Sequence, residues 1–285
     1  MKLSFVGLGA MGYPIAGHLA RKGNAVTVWN RTAGVAEKHA AEHGTSPAKA
    51  LEEVADRAEV LFTCLPTSAE VDSIADRLGD RLRRGTVWVD ATSGDPDASR
   101  KTAERLAGLG VDFLDAPVSG GLAGARKGTL TTMVGGSEPA LGRARAAIAA
   151  YSARIVHVGG PGSGHALKAI NNTLLAVHIL AAAEGLLTLE RNGIPIEKAL
   201  EVLNASSGRS NVTENLLGTP LASGEFPVTF KLGLLEKDVR IGAKIVREAG
   251  LEAPLTALAV EVVRNAKALL GAGADYLEMA RVVRG

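Results

Sequence analysis

The chain has 285 residues, 46% of them hydrophobic, with 32 lysines and arginines against 30 aspartates and glutamates and a formal net charge of +2. That length and apolar fraction exceed what one small core requires and imply two domains. Near-neutral charge excludes the broad basic footprint of a nucleic-acid or anionic-membrane binder, leaving small anions held by local geometry.

Lys2 to Val6 is short, apolar and strand-like, and runs without a signal-peptide pattern into Gly7-Leu8-Gly9-Ala10-Met11-Gly12. Ile15, Ala16, Leu19 and Ala20 then recur at helical spacing, so the glycines lie between a strand and a helix. Gly7 suits a tight turn, Gly9 a close approach of backbone to a pyrophosphate, and Gly12 the packing of helix on strand. Leu8, Ala10 and Met11 complete this candidate dinucleotide site. The second strand, Ala25 to Trp29, ends at Asn30-Arg31-Thr32, where an NAD site commonly presents a carboxylate to the ribose. A neutral Asn beside an arginine favours the 2′-phosphate of NADP over NAD.

His39-Ala40-Ala41-Glu42-His43 matches the HxxEH pattern of a zinc-peptidase class, but it falls on the helix after the second strand and has no third ligand; no metal is expected. Further strands are expected at Glu59 to Leu65, Thr86 to Val89 and Val111 to Leu114, with helices from Ser68 to Leu82 and after Pro96. Cys64 lies in the first of these; a lone cysteine in an apolar strand reads as core in a reducing compartment, and a cytoplasmic location is expected. This alternation implies a parallel, doubly wound, Rossmann-type sheet over residues 1–160. Its ligand crevice lies at the strand ends, where Leu65-Pro66 and Thr92-Ser93 are candidates to line the cofactor.

After Val111 to Leu114 comes Asp115-Ala116-Pro117-Val118-Ser119-Gly120-Gly121, whose two glycines expose main-chain amides beside a serine hydroxyl, a means of holding a small anion. A last strand, Tyr151 to Val158, leads to the glycine-rich loop 159–164, and residues 161–285 read as wholly helical. Ser163 is the expected N-cap of a long helix on which Lys168, Asn171, Asn172 and Leu175 share a face. The apolar stretch 166–183 of that helix contains Lys168, Asn171, Asn172 and His178, which would be costly in hydrocarbon, so it is read as buried in protein. A lysine with two amides on an apolar element suggests proton exchange beside a held substrate oxygen. Later helices are expected at Pro195 to Asn204, Glu214 to Leu221, Leu232 to Ala249, Pro254 to Leu269 and Asp275 to Val283.

These motifs together resemble the β-hydroxyacid dehydrogenase family, which includes 3-hydroxyisobutyrate dehydrogenase, tartronate semialdehyde reductase and glyoxylate or succinic semialdehyde reductases. The resemblance spans the chain: Gly7 to Gly12, Asp115 to Gly121 with Gly128-Thr129-Leu130, the glycine-lysine-asparagine element ending at Asn172, and Lys237-Asp238. It implies that Ser119, Gly120 and Gly121 hold the substrate carboxylate, that Lys168 is the catalytic group, that Asn172 binds substrate with Asn171 in support, and that Phe230, Lys237 and Asp238 approach the cofactor. It also implies a homodimer or homotetramer. The 6-phosphogluconate dehydrogenases generally carry histidine where this chain has Asn171, and imine reductases usually replace the lysine, so both are disfavoured. Gly273-Ala274-Asp275 keeps the Gly-x-Asp of many relatives without the Ser-Ala that commonly follows.

The implied reaction is hydride exchange between NADP and a short 3-hydroxy acid or its semialdehyde, foremost a 3-hydroxyisobutyrate-like substrate. Methyl or carboxyl differences among the family's substrates are read by pocket shape, so the motifs define a class and not a member. A non-catalytic nucleotide-binding regulator or scaffold is the alternative of another class; Ser119, Lys168 and Asn172 together count against it.

Overall fold

The computed structural model describes residues 1–56 and 58–284. The chain opens with β1 (Lys2–Val6), α1 (Gly12–Arg21), β2 (Ala25–Trp29), α2 (Ala33–His43) and the short β3 (Ser46–Pro47). It continues through β4 (Val60–Thr63), α3 (Ser68–Leu78), β5 (Val87–Asp90), α4 (Pro96–Gly108) and β6 (Asp112–Asp115). Then come β7 (Val118–Ser119), α5 (Gly121–Lys127), β8 (Leu130–Gly135), α6 (Glu138–Ile148) and β9 (Ser152–Gly159). The expected helix to Leu82 stops at Leu78, and a 3₁₀ turn, Gly79–Arg81, carries the chain on.

Among the described residues these strands form one sheet in the order β3-β2-β1-β4-β5-β6-β8-β7, with β9 beside β8. From β3 to β6 all pairing is parallel, and the order reverses between β1 and β4, the switch point at which a Rossmann sheet opens its ligand crevice. Beyond β6 the expectation of a purely parallel sheet gives way. Pro117 lies between β6 and β7, both strands pair antiparallel with β8, and β8 pairs parallel with β9. Side chains alternate across the central strands: Phe5 and Phe62 pack with Ile15, Leu19 and Tyr151 in one core, while Val6 and Leu61 pack with Leu78, Trp88 and Leu106 in another. Burial on both faces explains why β4 and β5 read as apolar runs up to their last residues, Thr63 and Asp90.

The long helix α7 (Ser163–Arg191) follows, then α8 (Ile196–Asn204), α9 (Gly218–Ser223), α10 (Leu232–Glu248) and α11 (Pro254–Leu270). The helix expected over Glu214 to Leu221 is instead a π-helical segment, Val212–Leu216, followed by α9, and the last expected helix is a 3₁₀ segment, Tyr276–Arg284. The chain divides into two compact units, Met1–Lys168 and Ala169–Gly285, by its internal contacts, with the division inside α7. In the second unit Ile179, Ala183 and Leu186 of α7 pack with Leu235 and Val239 of α10 and Val263 of α11. α7 is the one described helix long and apolar enough to cross a membrane, yet these side chains and the buried Asn172 and Thr173 make it the core helix of that unit.

Candidate active site

The dinucleotide turn sits at the switch point. Gly7 has φ +99°, and a Cβ there would lie 2.4 Å from the Cys64 carbonyl oxygen. A Cβ on Gly12 would come within 1.9 Å of the Gly7 carbonyl, so close packing of α1 on the turn demands glycine at both positions. Around Gly9, by contrast, a Cβ would meet nothing within 4 Å, and the backbone is open to a ligand. Met11, the N-cap of α1, supplies no side-chain hydrogen bond to that helix end. An open glycine before an uncapped helix N-terminus fits a pyrophosphate. Burial pushes the neighbouring Cys64 thiol up to about 12, so it is not an active nucleophile.

The other cofactor candidates buttress this turn. Asn30 Oδ1 accepts from the Leu8 amide (3.0 Å) and its Nδ2 donates to the Thr32 carbonyl (3.2 Å), while Arg31 and Thr32 are exposed. Leu65 N donates to the hydroxyl of buried Thr92 (3.0 Å), tying the end of β4 to the residues after β5. Thr92 therefore uses its hydroxyl oxygen as an acceptor on the scaffold. Pro66 is exposed and Ser93 half-buried.

At the end of β6 the chain divides its labour within a few residues. Ser119 pairs with Thr131 in β7, and Gly120 and Gly121 follow with φ of +127° and +61°, exposed and in conformations that L side chains rarely adopt. Nothing stands within 4 Å of a Cβ on Gly121. Asp115 turns the other way: fully buried, it accepts from the Gly162 amide (2.7 Å) and the His165 amide (2.9 Å) at the start of α7. The cap expected from Ser163 is thus supplied by a carboxylate 47 residues away from Gly162. A charged acceptor on unpaired first-turn amides is the stronger arrangement. Glycine at 135 and 164 makes room for it, since a Cβ there would lie 2.5 Å from Asp115 Oδ1 and 2.4 Å from its carbonyl oxygen respectively.

Lys168 lies one turn further along α7, half-buried, followed by half-buried Asn171 and buried Asn172. Within the second unit Asn171 Nδ2 donates to Asn172 Oδ1 (3.1 Å), and Asn172 Nδ2 donates to Asp238 Oδ2 (2.6 Å). The other Asp238 oxygen pairs with Lys237 Nζ at 2.9 Å. Asp238, expected to approach the cofactor, is 2% exposed and holds the Asn172 amide; Lys237 is engaged with it. Phe230, half-buried, packs edge-on against Tyr276, and its amide donates to Asp275 Oδ2 (3.2 Å), which also takes the Thr229 amide and hydroxyl. Asp275 of the Gly-x-Asp element therefore anchors the Phe230 loop.

The histidine-glutamate pattern on α2 is structural. Buried His39 uses both ring nitrogens, on Thr45 Oγ1 (2.8 Å) and the Tyr13 carbonyl (3.0 Å), and the Tyr13 hydroxyl donates to Glu42. Burial lowers the pKa of His39, as expected of a neutral ring clasping α1 to α2. Sequence reasoning missed the inward roles of Asp115 and Asp238, and it assigned no role to Asp90, Ser99 or His165. The last three form a buried polar group at the end of β5.

Comparison with known proteins covers the whole chain. Residues 2–159 match the family profile described as the NAD binding domain of 6-phosphogluconate dehydrogenase, and residues 162–283 that of the NAD-binding of NADP-dependent 3-hydroxyisobutyrate dehydrogenase. The 2-(hydroxymethyl)glutarate dehydrogenase of Eubacterium barkeri is 34% identical over 288 residues, covering 100% of this chain and 94% of the relative. The 2-hydroxy-3-oxopropionate reductase of Escherichia coli K12 is 30% identical, covering 97% and 94%. Among solved structures, 3-hydroxyisobutyrate dehydrogenase of Mycobacterium tuberculosis with L-serine superposes with a TM-score of 0.91 at 29% identity, covering 100% of this chain and 99% of that one.

Proposed function

The chain belongs to the β-hydroxyacid dehydrogenase family, and on that premise we propose that it interconverts a short 3-hydroxy acid and its semialdehyde with NADP, a 3-hydroxyisobutyrate-like acid being the favoured substrate. The observation that carries this reading is the array on α7: Lys168 four residues before Asn172, whose amide orientation is held by Asn171 and Asp238. In this reading Ser119 and the amides of Gly120 and Gly121 grip the carboxylate. Asn172, with one amide hydrogen committed to Asp238, offers the other to the substrate oxygen, and Lys168 takes or returns that oxygen's proton. The nicotinamide, when bound, supplies or accepts the hydride. Gly9 and the start of α1 receive the pyrophosphate, with the Leu65 and Thr92 turns as the wall beside it.

NADP is favoured over NAD because the end of β2 presents exposed Arg31, and Asn30 is spent on Leu8 and Thr32. A cytoplasmic, homo-oligomeric enzyme completes the proposal. Exposed Leu174 on α7 and Leu255 and Leu258 on α11 leave apolar surface for a second copy to cover. Glyoxylate, succinic semialdehyde and tartronate semialdehyde are the competing substrates, the last favoured only by the reductase-type relative.

The test is an absorbance assay of these hydroxy acids and semialdehydes with NADPH and NADH in parallel, with Lys168→Ala as the control. Turnover of a short 3-hydroxy acid, preference for NADPH and a loss of about 10³-fold or more in kcat for the variant are expected. Nucleotide binding with no turnover of any member would return the scaffold reading, and a strong NADH preference would overturn the role of Arg31.

A further inference from the structure

Asp90 and Asp115 end adjacent parallel strands in register, and both face the first turn of α7. Asp115 takes the His165 amide. The His165 ring lies with Nδ1 2.6 Å from Ser99 Oγ and Nε2 3.8 Å from Asp90 Oδ2, and both side chains are almost wholly buried. Ser99 Oγ also lies 3.0 Å from the Asp95 carbonyl, so its one hydroxyl hydrogen serves either that carbonyl or Nδ1, according to the ring's tautomer. A bare Nε2, which has no hydrogen-bond partner among the described residues, would aim its lone pair at the buried Asp90 carboxylate. One proton therefore resides on Nε2 or on Asp90, whose proton affinity burial raises. Charged groups on the packed elements include Asp72 of α3, which accepts from Thr102, Asp95 at the start of α4, Arg100 of α4, which pairs with Asp97, Lys168 of α7, and Asp115.

Asp90 has a second set of partners. Its Oδ1 accepts from the Thr63 hydroxyl (2.8 Å) and the Thr92 amide (3.1 Å), and the Thr92 hydroxyl in turn accepts from Leu65 N. The same carboxylate thus organises the strand-end turns assigned to the cofactor and meets the ring three residues before Lys168. The seat is cut to fit: a Cβ on Gly94 would lie 2.8 Å from His165 Cε1 and 2.6 Å from Ser68 Oγ.

We propose that Asp90 and His165 are positioning residues of the reaction, a proton-holding couple that sets the Lys168 turn of α7 against the strand-end turns of β4 and β5. Neither touches substrate; both act through Lys168, and the inference rests on the dehydrogenase reading. The test compares His165→Asn, which keeps an amide at the Ser99 side only, with His165→Gln, whose longer amide reaches toward Asp90, and with Asp90→Asn. The readouts are kcat, KM, NADPH affinity by fluorescence, thermal midpoint, and the rate at which trinitrobenzenesulfonate modifies Lys168 in the substrate-free enzyme, followed by peptide mass spectrometry.

H165N should lower kcat by about 10- to 100-fold, with KM and NADPH affinity within about twofold, because a small misplacement of a catalytic group is costly in rate but not in binding. It should also change the Lys168 modification rate, and H165Q should restore most of both. D90N should show the same loss with weakened NADPH binding added, which keeps the proposal testable if H165N fails to fold. Wild-type kcat and Lys168 reactivity in H165N, or in D90N in its place, would overturn the proposal, as would H165Q matching H165N in every readout, which marks the ring as packing alone. If the wild-type enzyme turns over no member of the substrate panel, the functional reading falls while Lys168 reactivity still decides the positioning.

Discussion

Asp115 and Asp238 invite comparison: both belong to motifs that point toward ligands, both are buried, and both bond to α7. Asp115 acts within the first unit on main-chain amides, fixing where the helix begins. Asp238 acts within the second unit on a side chain, fixing which way an amide faces. The first is a matter of folding, because first-turn amides have no other partner in the helix. The second is a matter of chemistry, because an amide has a donor end and an acceptor end, and in the proposed reaction turnover depends on which meets the substrate.

The largest effect should come from Asp115→Ala, which strands two buried amides and costs about 3 kcal/mol of stability in chemical denaturation. An unchanged midpoint would break the comparison by showing that α7 is held elsewhere. Asp238→Asn should lower kcat about 100-fold, equivalent to about 2.7 kcal/mol, since one end of the new amide must oppose either Asn172 or Lys237. A loss confined to stability would place Asp238 with Asp115. Gly242→Ala should sharpen the contrast: its Cβ would fall 2.1 Å from Thr173 Oγ1 and 3.1 Å from the Ala169 carbonyl, where α10 meets α7. About 1 to 3 kcal/mol of stability should be lost to overpacking, and kcat should fall with it, because Gly242 sits one turn beyond Asp238.

The smallest effect concerns Asp90, whose carboxyl burial holds above its ordinary range. A raised folded-state value means that its contribution to stability is fully present below the ordinary carboxylate range and fades as pH rises through the raised value. D90N, unable to lose that proton, should show a shallower fall in thermal midpoint over the same rise; parallel curves would place the proton on His165.

The architecture was legible wherever the signal is local. Gly7 and Gly12 are each demanded by contacts within the turn or with the adjacent strand end, Gly9 leaves the backbone open between them, and the alternation of apolar strands and amphipathic helices marked the sheet. The active-site supports were hidden because their partners lie far off in sequence: Asp115 acts on residues 47 and 50 positions on, Asp238 on one 66 positions back. Ser163 looked like the cap because capping rules consider neighbours only. The π-helical segment at Val212–Leu216 has no periodicity that distinguishes it from an α-helix over five residues, and the antiparallel turn after β6 hinges on how Pro117 interrupts one strand, which propensity alone does not dictate.

One consequence follows from Lys168 and Asn172 sharing a single unbroken helix. Four residues of α-helix rise about 6 Å, a spacing no side-chain substitution can stretch. In the proposed reaction α7 is therefore a ruler for the reacting carbon and its oxygen, common to any acid the enzyme accepts. Changes of substrate must be written at the margins of that ruler, in the residues that meet the remainder of the molecule, while the gauge itself stays constant.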